Sequence, residues 1–446
     1  MLTQPQARKL TDAVLSAGKK LAKDAALSVS VQTGRAANTR FARSEITSTG
    51  DVDDTVLTVE VGFGKRHAQA STNQTDAPAL LSVLQRAIAM ARLAPEDPEL
   101  MPLLGPQKYL TPAPAFDRAT AELPAAARAE AAHLAIAAAD AAKVDLAGFH
   151  DLRAGATALA NSAGLFAYHA ETGVSFTCTA RTQDGSGSGW GQAYSNRWST
   201  LDTAGAARVA IDKGVAAQKP RKLDPGRYTV VLEPAAVGDL LYFFISALDA
   251  RRADEGRSFF ARKGGGTRLG EQLFGPHITL RSDPASKLMP GAPFDGEGVP
   301  QRAVTWVDKG KATALRYSRF WAAKQGQQPT GAPSVTELAG GDATPETLLG
   351  GVKRGVLITR FWYNRWVDPQ SILITGLTRD GVFLIEDGKV VAPVNNFRYN
   401  ESPVLMLKNA DALGKDAVRL ATADGRLRVP ALRTHEFNLA SISDAV

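Results

Sequence analysis

Polar and apolar positions along this chain change period several times, and each change marks an expected element. Leu10, Val14, Ala17 and Leu21 recur at helical spacing with lysines and aspartates on the other side, which predicts a helix within 3–24. The alternation of LSVSVQ (27–32) predicts a strand, and DTVLTVEVGFGKRHAQAST (54–72) reads as two strands joined at Gly62–Gly64. Asp76 then caps a helix with Pro78 in its first turn and Leu80, Leu84, Ile88 and Ala91 on one face. Three prolines in 94–102 end it.

Several prolines and little periodicity in 103–123 predict a boundary. PAAARAEAAHLAIAAADAAK (124–143) is a helix by its alanine content and its lack of glycine. Residues 156–182 alternate again, with a hairpin turn at Asn161–Gly164, and a further helix is expected near 201–217. Pro225-Gly226 then opens a strand. Beyond it, 302–318 and 381–394 each read as strand, Asp-x-Gly turn, strand. The expected fold is α+β in three segments: a small N-terminal α/β unit (1–105), a central helix with hairpins (106–220), and a β-rich C-terminal unit (221–446).

Composition narrows the function classes. The chain has 446 residues, 44% hydrophobic and 22% charged, enough for normal cores and against wholesale disorder. The excess of 52 basic over 45 acidic side chains, net +7, is thin over this length and does not argue for nucleic acid. The single cysteine, Cys178, excludes an internal disulfide and an all-cysteine zinc site, and it fits a reducing compartment. The first 26 residues lack a signal-peptide apolar region, and no run of roughly 18 apolar residues is present. A cytoplasmic protein without a membrane partner is expected.

Candidate chemistry is sparse. The six histidines stand far apart, and His435-Glu436 opens a zincin-like motif without its second histidine. DGSGSGWG (184–191) fits neither a nucleophile elbow nor a dinucleotide loop and reads as a flexible glycine turn. Cys178, inside the alternating VSFTCTA, is expected to be packed. Residues 251–268 carry Arg251, Arg252, Arg257, Arg262, Lys263 and Arg268, a solvated loop or a phosphate site. RFWYNRW (360–366) concentrates four large aromatics and two arginines. Strand alternation would send Phe361 and Tyr363 one way and Trp362 the other.

Several segments taken together resemble the TldD/PmbA family, and more particularly its PmbA side, also called TldE. They are RFARSEITSTGDVDDTVLTVEVGFGKR (40–66), STNQ (71–74), ARLAPEDPE (91–99), NSAGL (161–165), DGSGSGW (184–190), PGRYTVVLEPAAVGDLL (225–241), PFDGEGVPQR (293–302), PTG (329–331) and GVLITRFWYNRWVDPQSILITGLTRDGVFLIEDGKVVAPVNNFRYNESPVLML (355–407). The ordered succession covers about 36–434. The resemblance implies a cytoplasmic protease or protease subunit, with a small N-terminal α/β domain and a β-rich C-terminal domain. It also implies pairing as a TldD–TldE heterodimer or a homodimer.

In the family, a TldD-type subunit holds its metal through H-E-x-x-x-H and a later cysteine, and it cleaves unfolded or small peptides. At the matching positions this chain has Tyr242 and Ala247 for the histidines and Phe243 for the glutamate. None of them supplies an imidazole, thiolate or carboxylate. The late cysteine is also missing, and LLYFFISAL (240–248) reads as an apolar helix filling that space. The resemblance therefore implies a non-catalytic subunit without a metal of its own. It would complete the cleft of a TldD-type, zinc-holding partner and bind peptide. Trp362, Tyr363, Asn364 and Arg365, with Asn395, Asn396 and Arg398, are the candidate peptide-binding residues. Two alternatives stand beside it: a peptidase in its own right, with a metal site assembled from distant residues such as His277, Asp283 or His435 or with a non-metal mechanism, and a nucleic-acid-associated regulatory factor.

Overall fold

The alternation that begins at Leu27 does not stop at Gln32. In the computed structural model, which describes residues 1–332, 334–423 and 425–443, it continues as one strand, Ala26–Ala42. Arg43 and Ser44, both at positive φ, turn the chain into Glu45–Phe63, and a second turn leads to Arg66–Thr72. The hairpin Val144–Asn161/Phe166–Thr182 and the strand Ser188–Ser195 complete a six-stranded antiparallel sheet. Ala26–Ala42 pairs with Val144–Asn161 from Ser28/Asn161 to Phe41/Gly148, so the first two sequence segments share one sheet.

Helices cover one side of that sheet. Gln4–Leu21 and Ala77–Leu93 bury Ala7, Val14, Val83 and Leu84 against Leu27, Val29, Val31, Leu57 and Val59. The Asp76 carboxylate accepts the Ala79 N–H at 3.1 Å and so starts the second of them. Ala125–Ala141 and Thr203–Ala216 pack their alanines on Phe41, Leu146, Phe176 and Cys178. Burial pushes the Cys178 thiol up to about 12, so it is a packed strand residue.

The second half holds two more sheets. Gly226–Leu232, Arg354–Asp368, Leu373–Glu386, Asn396–Glu401 and Leu432–Ser443 pair in a closed circuit, with Gly226–Leu232 and Arg354–Asp368 parallel. Phe361, Tyr399 and Phe437 form one ring cluster within it, with centroids 4.4–5.9 Å apart. Six short strands make the third sheet. There Glu337 is paired with Arg281 and Arg428 on the strands either side. Among the described residues no helix is long and apolar enough to cross a membrane.

The stretch after the second helix ties the halves together. Glu99 takes two 2.8 Å hydrogen bonds from Arg251, the Pro102 carbonyl accepts from Arg319, and Tyr109 donates to the Gly298 carbonyl at 2.9 Å.

Candidate functional site

The helix Pro234–Ser246 begins on a proline, where a missing N–H costs nothing, and continues almost wholly apolar. Ala236, Val237, Leu240, Leu241 and Phe244 are fully buried in the large C-terminal core. The three residues that the resemblance sets against the metal motif lie at its end. Ala247 is the buried C-cap, Phe243 is buried, and Tyr242 points outward with 64% of its surface exposed. The expected filling of this space by packing therefore applies to Phe243 and Ala247 and not to Tyr242. Phe243 meets Tyr242 and Trp366 edge-on, with centroids 5.7 and 5.1 Å away. A phenol, a phenyl ring and a methyl group do not fit the donor set of a hydrolytic zinc ion.

Trp366 comes from Arg354–Asp368, the strand that carries the aromatic run. Phe361 faces the interior, and the Phe361 N–H donates to the Asp239 carboxylate of the helix at 2.9 Å. The expected alternation breaks two residues later. Tyr363 adopts φ of 57° and the register slips between Trp362 and Arg365, so Tyr363 is 62% exposed instead of joining Phe361 inside. Arg365 stacks on the Tyr363 ring at 4.3 Å. Trp362 is also exposed and lies in register with Leu377 and, one strand further, Arg398.

On the side toward the first sheet, Arg360 lies over Trp190 at 4.5 Å and Trp362 at 5.4 Å, and Arg379 lies over Trp362 at 4.8 Å. Buried Asp380 stands 3.9 Å from Arg360 and 3.8 Å from Arg379, and it accepts the Ser188 hydroxyl at 2.6 Å. The strand Ser188–Ser195 is thus joined to the barrel through charge and aromatic contacts. Sequence reading passed over Asp239, Arg360, Asp380, Ser188 and Trp190 as a group. One signal was present, because Asp239 is the only charged residue in the apolar run 234–248.

Burial pushes the Asp239 carboxyl up to about 7, although Arg360 and the Phe361 N–H both pull it down. Its ordinary value is 3.8, so the folded state holds this proton more tightly than the unfolded one. The stability contribution is complete below the unfolded value and is lost as pH rises toward 7. Asp239→Asn keeps the acceptor and removes the charge. We expect thermal melts to show the variant more stable than the parent at pH 8, with a clearly smaller difference at pH 5. Equal melting temperatures at both values would show that the carboxyl is not desolvated.

The candidate asparagines have internal partners. Asn364 Oδ1 accepts from the Tyr399 hydroxyl at 2.7 Å, Asn395 Oδ1 from the Leu223 N–H at 2.7 Å, and Asn396 Oδ1 from the Thr378 hydroxyl at 3.2 Å. Trp362, Tyr363, Arg365 and Arg398 are the members of the candidate set with exposed side chains.

The other tracts resolve into structure. In DGSGSGWG the turn takes up 184–187, and from Ser188 the segment is a strand under a helix. A Cβ on Gly187, Gly189 or Gly191 would fall on the Gly214, Ala210 or Ala206 carbonyl oxygen of that helix, so these glycines serve close approach rather than flexibility. In residues 251–268, Arg251 bridges Glu99 and Glu255, Arg257 pairs with Glu255, and Arg262 and Arg268 share Glu271. The arginines of this stretch are largely occupied by carboxylates. His277 Nε2 is 2.8 Å from the Ala410 carbonyl, His435 lies between Thr229 and Asp411, and Asp283 accepts the Ala285 N–H. Among the described residues no group of three or more His, Cys, Asp or Glu side chains is placed to hold a metal ion.

Comparison with known proteins agrees with this architecture. A curated metalloprotease of Methanothermobacter thermautotrophicus is 26% identical over 279 residues, 58% of this chain, and the chain spans 60% of that relative's length. TldE from Thermococcus kodakarensis superposes with a TM-score of 0.87 at 18% identity, covering 97% of this chain and all of that one. A Thermotoga maritima protein described as a candidate modulator of a DNA gyrase gives 0.85 at 18% identity, covering 97% and 100%. Three family models match in order: PmbA/TldA metallopeptidase domain 1 at 27–91, the central domain at 118–218 and the C-terminal domain at 225–441. With most of its length matched and the fold shared throughout, the chain belongs to the PmbA/TldA metallopeptidase family, the TldD/PmbA family that its motifs resemble.

Proposed function

We propose that this chain is the non-catalytic, TldE-like subunit of a TldD/TldE-type metallopeptidase that acts in the cytoplasm on unfolded or small peptides. The observation that carries the reading is the end of helix Pro234–Ser246. Tyr242, Phe243 and Ala247 occupy the motif positions there, and none is a zinc donor or a base of the kind the reaction needs. Phe243 is instead committed to packing on Trp366. Zinc and the water it activates would come from a TldD-type partner. The exposed Trp362, Tyr363 and Arg365, with Arg398 beyond Leu377, offer rings and guanidinium groups to an extended peptide at the cleft that the pair encloses.

The test is metal content and cleavage, with the chain alone and with a TldD-type relative. We expect substoichiometric zinc and no peptide hydrolysis from the chain alone. With the relative, we expect co-elution on gel filtration, about one zinc per pair, and cleavage that depends on the relative's metal motif. Stoichiometric zinc together with hydrolysis in the isolated chain would make it the peptidase itself.

A further inference from the structure

The strand Glu45–Phe63 is bonded along its whole length to Ala26–Ala42, whereas its other side is covered only from Leu57 to Phe63, by Arg66–Thr72. Among the described residues nothing pairs with the outer side of residues 45–56. At about 3.4 Å per residue this leaves roughly 40 Å of extended backbone with unpaired donors and acceptors. Open edges of this length are normally blunted by lysine, proline or a bulge. Residues 45–56, EITSTGDVDDTV, contain neither lysine nor proline, and the register with Ala26–Ala42 shifts only at Arg40/Phe41, toward the hairpin end.

The edge also has one sign of charge. Glu45, Asp51, Asp53 and Asp54 fall within it and no basic residue does, in a chain whose overall excess is positive. Asp51 is neutralised by Arg35. Asp54 accepts its neighbour's Thr55 N–H at 2.8 Å, and neither it nor Asp53 has an ion pair among the described residues. Asp53 borders an open cleft of about 650 Å³ with Phe116 in its wall. Of the other charges there, Arg118 is paired with Glu122 at 2.8 Å, and Arg35 is paired with Asp51 while facing Asp53 across the strands.

We propose that this edge is a strand-addition site for an extended peptide carrying lysine or arginine at alternate positions. The peptide backbone pairs with residues 45–56. One basic side chain places its charge beside Asp53. The site lies in the first sheet, away from the aromatic strand Arg354–Asp368, and it does not depend on the subunit role proposed above.

The test is fluorescence anisotropy of the full chain with a labelled peptide, Thr-Lys-Val-Lys-Thr-Lys-Val-Thr. Two controls accompany it: a glutamate-for-lysine version, and a version N-methylated at alternate backbone amides. We expect saturable binding of the lysine peptide, no saturable binding of the glutamate peptide, and at least about tenfold weaker binding for one methylation phase. D53K, at an exposed position, should weaken the lysine peptide by about tenfold or more while leaving the circular dichroism spectrum unchanged. Three results would overturn the proposal. They are no saturable binding of the lysine peptide, equal binding of all methylated and unmethylated forms, and a homodimer in sedimentation that D53K dissociates, which would make a second copy the occupant.

Discussion

Phe244→Ala is expected to lower the unfolding free energy by about 3–5 kcal/mol, seen as an earlier urea midpoint in tryptophan fluorescence. Phe244 is fully buried in the middle of helix Pro234–Ser246. Its ring meets Phe260 and Phe274 edge-to-face at 5.7 and 5.6 Å, and it belongs to the core shared by the barrel and the short-strand sheet. Removing a phenyl group there loses its transfer free energy and leaves a void that three elements would have to move to fill. Phe244→Leu keeps much of the volume and should cost about 1.5 kcal/mol. A midpoint unchanged by the alanine variant would mean that the core relaxes freely around this helix. That would also remove the reason for Phe243, its neighbour, to be held in place.

The second large effect is expected at Gly189. A methyl group there would overlap the Ala210 carbonyl oxygen and the Gly214 nitrogen, which are backbone atoms that no side-chain rotation can clear. Gly189→Ala must push the helix Thr203–Ala216 off its strand. Ala206, Ala207, Ala210 and Ile211 would then lose their fit to Phe176 and Cys178. Overpacking of this kind costs about 3 kcal/mol. The same change at Gly185, at positive φ with open space around its Cβ position, acts only through local strain and should cost about 1 kcal/mol. Equal costs at the two glycines, measured by chemical denaturation, would show that the helix does not sit on this strand.

Those glycines also mark what could be read from the chain. Spacing and caps were sufficient for the four long helices on the first sheet, because Asp76, Pro124 and the alanine-rich faces act within a few residues of where they stand. The hairpin at Asn161–Gly164 and the Asp-x-Gly turns were equally local. DGSGSGWG looked mobile because its demand for small residues comes from a helix a dozen or more residues later, and that demand has no local pattern. The continuation of the first strands to Ala42 and back from Glu45 was hidden for the opposite reason. Residues 45–56 have an open edge and mostly exposed side chains, so no apolar alternation marks them.

The same distinction runs through the site. The apolar character of 240–248 was legible, but Tyr242 turns outward because helix geometry, not hydrophobicity, sets its direction. The alternation expected in RFWYNRW fails at one residue, Tyr363, where a bulge sets a positive φ. Asn364, Asn395 and Asn396 read as candidate peptide-binding residues. They are fixed by a tyrosine hydroxyl, a backbone amide and a threonine hydroxyl that only the closed circuit of strands brings near. That circuit depends on the parallel pairing of Gly226–Leu232 with Arg354–Asp368, more than a hundred residues apart, for which no turn signal exists.

The latch from Glu99 to Tyr109 bears on how such a protein can be taken apart. Its residues follow the second helix of the opening half, yet Arg251, Gly298 and Arg319 receive them from the closing half. A chimera spliced just after Tyr109 would inherit hooks from one parent and eyes from the other. Modular exchange between relatives is therefore constrained to donors whose distant loops offer a guanidinium and a carbonyl at the same places.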